Sequence, residues 1–277
     1  MSAPTLANLA NMSPPTKVTL SSVFSDLSET YGDPKSVVKK LNFLIYGEAG
    51  VGKTPLLLTY PGKVLMFSLD PGGTQSVRSH IGSKIFPVLL ENENIKKPDV
   101  MDRFVKKLNQ FGVDGIYEEL AKEGGALCVD SLTSLERAAL RKIMMGHNRQ
   151  LDTPSQPDYG KAMTLIENML WQILNFPCDV ILLAHQRDGK DDLGKFFVGP
   201  LLTGKSAKRV PNIIGEIYYM GVRPDGSRYL KTSTDGLTIC RSRLNIPNEK
   251  GDRPISQEEA PNLEAIIKKS GWKRNPA

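Results

Sequence analysis

The chain has little cysteine and little histidine, and each shortage excludes something. Its 277 residues hold three cysteines, Cys128, Cys178 and Cys240. The number is odd and the spacing matches no metal-ligand pattern, so neither a disulfide framework nor a zinc site is expected. Cys128 and Cys240 lie in apolar, strand-like runs, and Cys178 just precedes one. Three reduced thiols, buried or nearly so, are expected, as in a cytosolic protein. No apolar stretch approaches the roughly 20 residues of a membrane span. Residues 1–19 lack the basic start and apolar core of a secretory signal. A cytoplasmic protein without a membrane partner is therefore the expectation. Internal repeats are absent too.

What is present is ordinary for a globular protein: 40% hydrophobic and 24% charged residues, with length for one large domain or two small ones. The net charge of +6 is unevenly placed. Between His185 and Arg253 stand 13 Lys/Arg against 8 Asp/Glu, and the rest of the chain holds 23 against 22. The basic last third reads either as a solvated surface or as an electrostatic footprint for nucleic acid.

The most informative stretch is Gly47-Glu48-Ala49-Gly50-Val51-Gly52-Lys53-Thr54. It is a complete P-loop, Gly-x-x-x-x-Gly-Lys-[Ser/Thr], whose backbone N–H groups cradle a phosphate chain. Lys53 reaches the β/γ-phosphates and the Thr54 hydroxyl binds Mg²⁺. Residues 41–46 form a short apolar run suited to a buried strand. Residues 54–60 suit a helix start, where the dipole adds to anion binding, and Pro55 is tolerable in a first turn.

Residues 1–17 read as a tail, and 18–42 as an arm with helical material broken at Gly32-Asp33-Pro34. Strands are predicted at 63–69, 85–89, 126–129 and 179–183. Helices are predicted at 72–81, at 99–123 with a break near 112–115, at 132–145, and at 159–176 after a polar loop over 146–157. Residues 186–209 read as a long loop. Strands follow at 216–222, 228–233 and 237–241, joined by hairpin turns. A last helix is predicted over 256–271, with Ser256 as N-cap and Glu259 completing a capping box. The alternation implies an α/β fold: a mostly parallel central sheet with helices on both faces and a C-terminal antiparallel extension.

A P-loop needs a partner carboxylate for Mg²⁺. Residues 126–130 form an apolar strand ending in Asp130, which has the form of a Walker B acid, or of an N-cap for the helix that follows. Asp70 ends the strand after the P-loop helix and is a base candidate by placement. It is equally a turn carboxylate, since Asp70-Pro71-Gly72-Gly73 is a strong turn signal. A third apolar strand ends in His185-Gln186, polar residues placed to sense a γ-phosphate. His80 and His147 have no such placement and read as structural.

These motifs together resemble the RecA-like P-loop ATPases, and most of all their phage-encoded, core-only members associated with recombination and single-strand annealing. The likeness covers residues 41–245. It rests on the P-loop, on Asp70 with Gly72-Gly73, and on Val129-Asp130-Ser131-Leu132-Thr133-Ser134-Leu135. Further matches are Tyr159-Gly160-Lys161, Leu183-Ala184-His185-Gln186, Gly199-Pro200-Leu201-Leu202-Thr203-Gly204-Lys205, Ser233-Thr234-Asp235-Gly236 and Arg241-Ser242-Arg243. The resemblance implies ATP and Mg²⁺ as cofactors, and catalytic roles for Lys53, Asp70, Asp130, His185 and Gln186. It implies a single-stranded DNA contact through the loop after the third strand, with Lys190, Lys195, Lys205, Lys208 and Arg209 for phosphates. Phe196 and Phe197 in that loop would stack on bases, or pack a flap on the core. It also implies a ring or filament of copies, with Arg241 and Arg243 as trans-acting candidates and Phe24, in Ser22-Val23-Phe24-Ser25, as a latch or as a residue packed on its own domain. A single-strand-binding or replication protein would be a further partner, and the host cytoplasm the location if the chain is phage-encoded. On this reading residues 1–40 are an arm, a candidate oligomerisation element, 41–245 the core, and 246–277 a tail with a short helix.

One departure stands out. The family places a glutamate one or two residues past the Asp70 position, where this chain has Pro71 and Gly72. Either Asp70 substitutes, another acid fills in, or hydrolysis is slow. Two other classes also fit the sequence: a motor or loader acting on a protein partner, and a nucleotide-switched scaffold.

Overall fold

The computed structural model describes residues 40–91, 93–190, 194–204 and 206–274. Of the expected arm, residues 18–39, Phe24 among them, lie outside the described residues, as does Lys205. Six strands run parallel: β1 (Asn42–Gly47), β2 (Val64–Ser68), β3 (Ile85–Leu89), β4 (Ala126–Asp130), β5 (Asp179–Lys190) and β7 (Glu216–Val222), in the order β7-β1-β5-β4-β2-β3. β6 (Phe196–Pro200) pairs antiparallel with the far end of β5. β8 (Arg228–Lys231) and β9 (Arg241–Ser242) pair antiparallel with β7, and β10 (Glu258–Glu259) with β8. The expected parallel sheet with an antiparallel extension is what the chain forms.

The central strands are apolar throughout because both of their faces are covered. Successive residues point to opposite sides. Leu44, Tyr46, Leu65, Phe67, Leu127, Val129 and Leu182 enter one core cluster. Above it lie α2 (Val100–Val113), α3 (Ile116–Lys122), α4 (Leu132–Met145), α5 (Gln156–Asn175) and α6 (Ser206–Ile213), which contribute Phe104, Tyr117, Leu135, Ile166 and Val210. Phe43, Ile45, Val64, Met66, Cys128, Ile181 and Leu183 enter the other cluster. It is closed by α1 (Lys53–Leu56), the 3-10 turn Leu57–Thr59 and α7 (Leu263–Lys269). All three cysteines are buried and unpaired.

Register sets the levels at the carboxyl edge. Gly47 lies opposite His185, Ser68 opposite Asp130, and Asp130 opposite Leu183. The amino edge is closed by Asp179. Its carboxylate accepts the Leu41 N–H at 2.9 Å, the Tyr60 hydroxyl at 2.5 Å and the Arg274 guanidinium at 2.5 Å.

Three expectations need correction. The described part of 186–209 is not one long loop: β5 runs on to Lys190 and pairs with β6, and α6 follows. The polar 186–190 segment projects past the core, so it lacks the apolar signal of a strand, while β6 supplies its hydrogen bonds. Pro211 inside α6 removes a helical hydrogen bond, which obscured that helix. The stretch 237–241 is mostly not a strand, and only Arg241–Ser242 pair with β7. The last helix begins at Leu263, capped by Asn262, whose side chain accepts the Ala265 N–H at 2.9 Å. Pro261 biases the residue before it away from helical geometry. The Ser256 N–H does donate to Glu259, at 2.8 Å, but in the turn that leads to β10.

Candidate functional site

β1 ends at Gly47, and the P-loop carries the chain into α1. Gly52 takes φ +106°, a conformation that side chains disfavour, and the Arg228 side chain lies against it. The Arg228 Nε–H donates to the Val51 carbonyl at 2.7 Å, bracing the loop from β8. The Lys53 ammonium is buried and donates to the carbonyls of Gly47 at 2.8 Å and Glu48 at 2.7 Å. Burial lowers its pKa, and the nearby Asp130, Asp70 and Glu48 carboxylates oppose that shift.

The Thr54 hydroxyl donates to Asp130 Oδ2 at 2.6 Å. Asp130 is 3% exposed, and its pKa is pushed up to about 6. Burial is the main cause. The Thr54 bond opposes it, the Asp70 charge adds to it, and Lys53 and His185 oppose it. Asp70 behaves differently. Burial would raise its pKa, but donors outweigh burial and hold the carboxyl below its ordinary value. Those donors are His185 Nε2 at 3.1 Å, the Ser134 hydroxyl, and the Ser131 hydroxyl at 2.9 Å.

Asp70, Asp130, Lys53, Thr54 and His185 line one cleft of about 340 Å³ with Ala49, Gly50, Gly52, Pro55, Pro71, Gly72, Gly73 and Ser76. An ammonium, a hydroxyl and two carboxylates from separate strand ends therefore converge on one space. The oxygen pair Thr54 and Asp130 is a donor set of the kind hard divalent cations take. Asp130, strained by burial, gains from a cation beside it.

Gln186 lies outside the lining of this cleft: its amide donates to Asp188 at 2.7 Å, along the hairpin. In the basic region the two phenylalanines separate. Phe196 is 61% exposed, with the Lys190 ammonium 4.7 Å from its ring centre. Phe197 packs on Gly189, where an added Cβ would stand 2.9 Å from the ring. Lys195 is exposed, and Arg209 pairs with Glu167 at 3.2 Å. Lys208 lies in α6, and its side chain is outside the described residues. The Arg241 guanidinium is held within its own chain by the carbonyls of Pro211 and Ile214, while Arg243 is exposed.

Sequence reasoning missed the connection between cleft and hairpin. The His185 N–H donates to Thr133 Oγ1 at 3.1 Å, and the Thr133 hydroxyl donates to the Leu201 carbonyl at 3.0 Å. Glu136 accepts the Thr203 N–H at 2.7 Å and its hydroxyl at 2.8 Å. Glu136 carries no mark in the sequence, and its partner segment 201–203 has the composition of a loop.

Residues 39–244 match the family model described as AAA domain. No curated protein matches the chain. Solved structures that match include a prototypical ATPase from the type III secretion system of pathogenic bacteria. The identity is 13% and the TM-score 0.43, over 67% of this chain and 51% of that one. Another is the assembled ATPase EscN, in complex with its central stalk EscO, from the enteropathogenic E. coli type III secretion system. There the identity is 14% and the TM-score 0.43, over 68% of this chain and 43% of the other. The matched region spans about half the length of each of those chains or less. Among the described residues no helix is long and apolar enough to cross a membrane.

Proposed function

The chain belongs to the AAA domain family, and from that premise we propose that it binds ATP with Mg²⁺ in the P-loop cleft, hydrolyses it, and couples the nucleotide state to single-stranded DNA held by the β5–β6 hairpin. The observation that carries the reading is the convergence of Lys53, Thr54, Asp130, Asp70 and His185 on one cleft at the carboxyl edge of a parallel sheet, where such folds bind ligands. Lys53 brings positive charge to the β/γ-phosphates. Thr54 and Asp130 would hold Mg²⁺, which when bound neutralises phosphate charge. Asp70 is kept ionised by three donors and orients the attacking water. His185 links Asp70 to Thr133 and Leu201, so a change at Asp70 can reach the hairpin base.

For DNA, Lys190 and the exposed Phe196 offer a cation and a stacking face on the projecting hairpin. Copies of the chain assemble side by side, with Arg243 the better trans-acting candidate because Arg241 is held by carbonyls of its own chain. Phosphate release with and without a single-stranded oligonucleotide tests the reading. Wild type is expected to release phosphate, faster with DNA and less so as salt rises. Release without any DNA or salt response would favour a motor or loader acting on a protein. Binding without release would favour a nucleotide-switched scaffold.

A further inference from the structure

The Asp70 turn closes with one backbone hydrogen bond of its own, from the Gly73 N–H to the Asp70 carbonyl at 3.0 Å, and has no side-chain tie from its own residues past Asp70. After Asp70 come Pro71, Gly72 and Gly73, none of which has a side chain able to form a hydrogen bond. Yet this turn forms one wall of the cleft and must fix Asp70 to within a fraction of an ångström, because small misplacements of a reacting group cost large factors in rate. Besides the donors to the Asp70 carboxylate, a tie to the middle of the turn comes from the segment after β3. Glu91 follows β3, two residues beyond its end, and turns back over β2. Its Oε1 accepts the Ser68 hydroxyl at 2.8 Å and its Oε2 accepts the Gly72 N–H at 2.9 Å. Ser68 is fully buried at the end of β2, opposite Asp130. One carboxylate thus ties the last residue of the strand to the middle of the turn. The space between is full: a Cβ on Gly73 would stand 3.1 Å from Ser68 Oγ and 3.9 Å from Asp130 Oδ2. Moving the turn therefore moves the groups beside Asp130 as well as Asp70.

We propose that Glu91 is a positioning residue for hydrolysis, an acid supplied from the neighbouring strand that holds the Asp70–Gly73 turn in its working geometry. It acts through the turn rather than on the nucleotide, since it lies outside the residues lining the P-loop cleft. The proposal rests on the hydrolytic reading above.

The test compares Glu91→Ala, Glu91→Gln and Ser68→Ala with wild type, measuring kcat and KM for phosphate release together with affinity for a non-hydrolysable ATP analogue. Glu91→Ala is expected to lower kcat about tenfold or more, because two hydrogen bonds to a charged acceptor are lost, with KM and analogue affinity within about threefold. Glu91→Gln keeps an oxygen for the Gly72 N–H and an amide that can donate to Ser68 Oγ, and is expected to recover kcat to within about threefold of wild type. Ser68→Ala removes one of the two bonds with little change of volume. It should fall between the two and keeps the test valid should Glu91→Ala fold poorly. Equal losses in Glu91→Ala and Glu91→Gln would overturn the proposal, because charge rather than geometry would then be at work. So would an unchanged kcat in Glu91→Ala and Ser68→Ala, or a loss confined to KM. Wild type that binds the analogue but releases no phosphate would overturn the hydrolytic reading, and this proposal with it. An active wild type indifferent to these changes would overturn this proposal alone.

Discussion

Two buried aspartates stand at opposite edges of one sheet. Asp179 begins β5 and Asp130 ends β4, and burial pushes the pKa of each upward. Their surroundings differ. Asp179 is saturated by Leu41, Tyr60 and Arg274, so it ties the first described residues, the turn after α1 and the C-terminal stretch into one knot. Asp130 has the Thr54 hydroxyl as its side-chain donor and opens on a 340 Å³ cleft beside a buried ammonium and a second carboxylate. A buried charge by itself therefore says little about function. A buried charge left with capacity for a ligand, next to groups that recognise phosphate, says much more.

Variants at each edge test the two aspartates separately. The largest effect is expected from Lys53→Ala: ATP affinity should fall on the order of a hundredfold, the range for removing one partner of a desolvated charge contact, read by equilibrium titration. Next is Asp179→Ala. It leaves the Leu41 N–H without its acceptor, the Tyr60 hydroxyl with only the Gly124 carbonyl at 3.3 Å, and the Arg274 charge without its carboxylate. It should destabilise the fold by about 3 kcal/mol, seen as a lower urea midpoint, while the ATP affinity of the folded protein stays unchanged. Ser134→Ala removes one of three donors to Asp70 and should slow phosphate release about tenfold, with analogue affinity intact. The smallest effect is expected at the hairpin: Phe196→Ala should weaken single-stranded DNA binding about fivefold, the low end for one stacked base, without altering ATP affinity.

The two edges also differ in how far the sequence revealed them. The P-loop is contiguous, and its strand, turn and helix follow in order, so all eight residues were legible. Asp130 and Asp70 were legible as acids at the ends of apolar runs. That Ser131, Ser134 and His185 converge on Asp70 was not, because β5 and β4 come together only through register. Glu91 gave no signal, since its partners lie 23 and 19 residues back, on another strand and in the turn after it. The hairpin was hidden for a different reason: a strand projecting beyond the core has little buried face to impose alternation on the sequence, while Pro211 masked α6. The Asp179 knot was also unmarked, because Arg274 joins it from 95 residues away.

Asp130 can serve the cleft or the fold, and Asp130→Asn separates the two. The ordinary aspartate pKa is about 3.9, and in the folded protein it is about 6. The protonated form is thus favoured by folding. This group supports stability fully below about pH 4, and the support is lost as pH rises to 6 and stays lost above. Asparagine removes that ionisation cost, on the order of 2–3 kcal/mol at pH 7. The decisive measurement is phosphate release and thermal melting on the same preparations of wild type and Asp130→Asn at pH 7.5. The expected result is a variant that melts at or above the wild-type temperature and releases phosphate at least a hundredfold more slowly. A variant that releases phosphate at the wild-type rate would contradict the account.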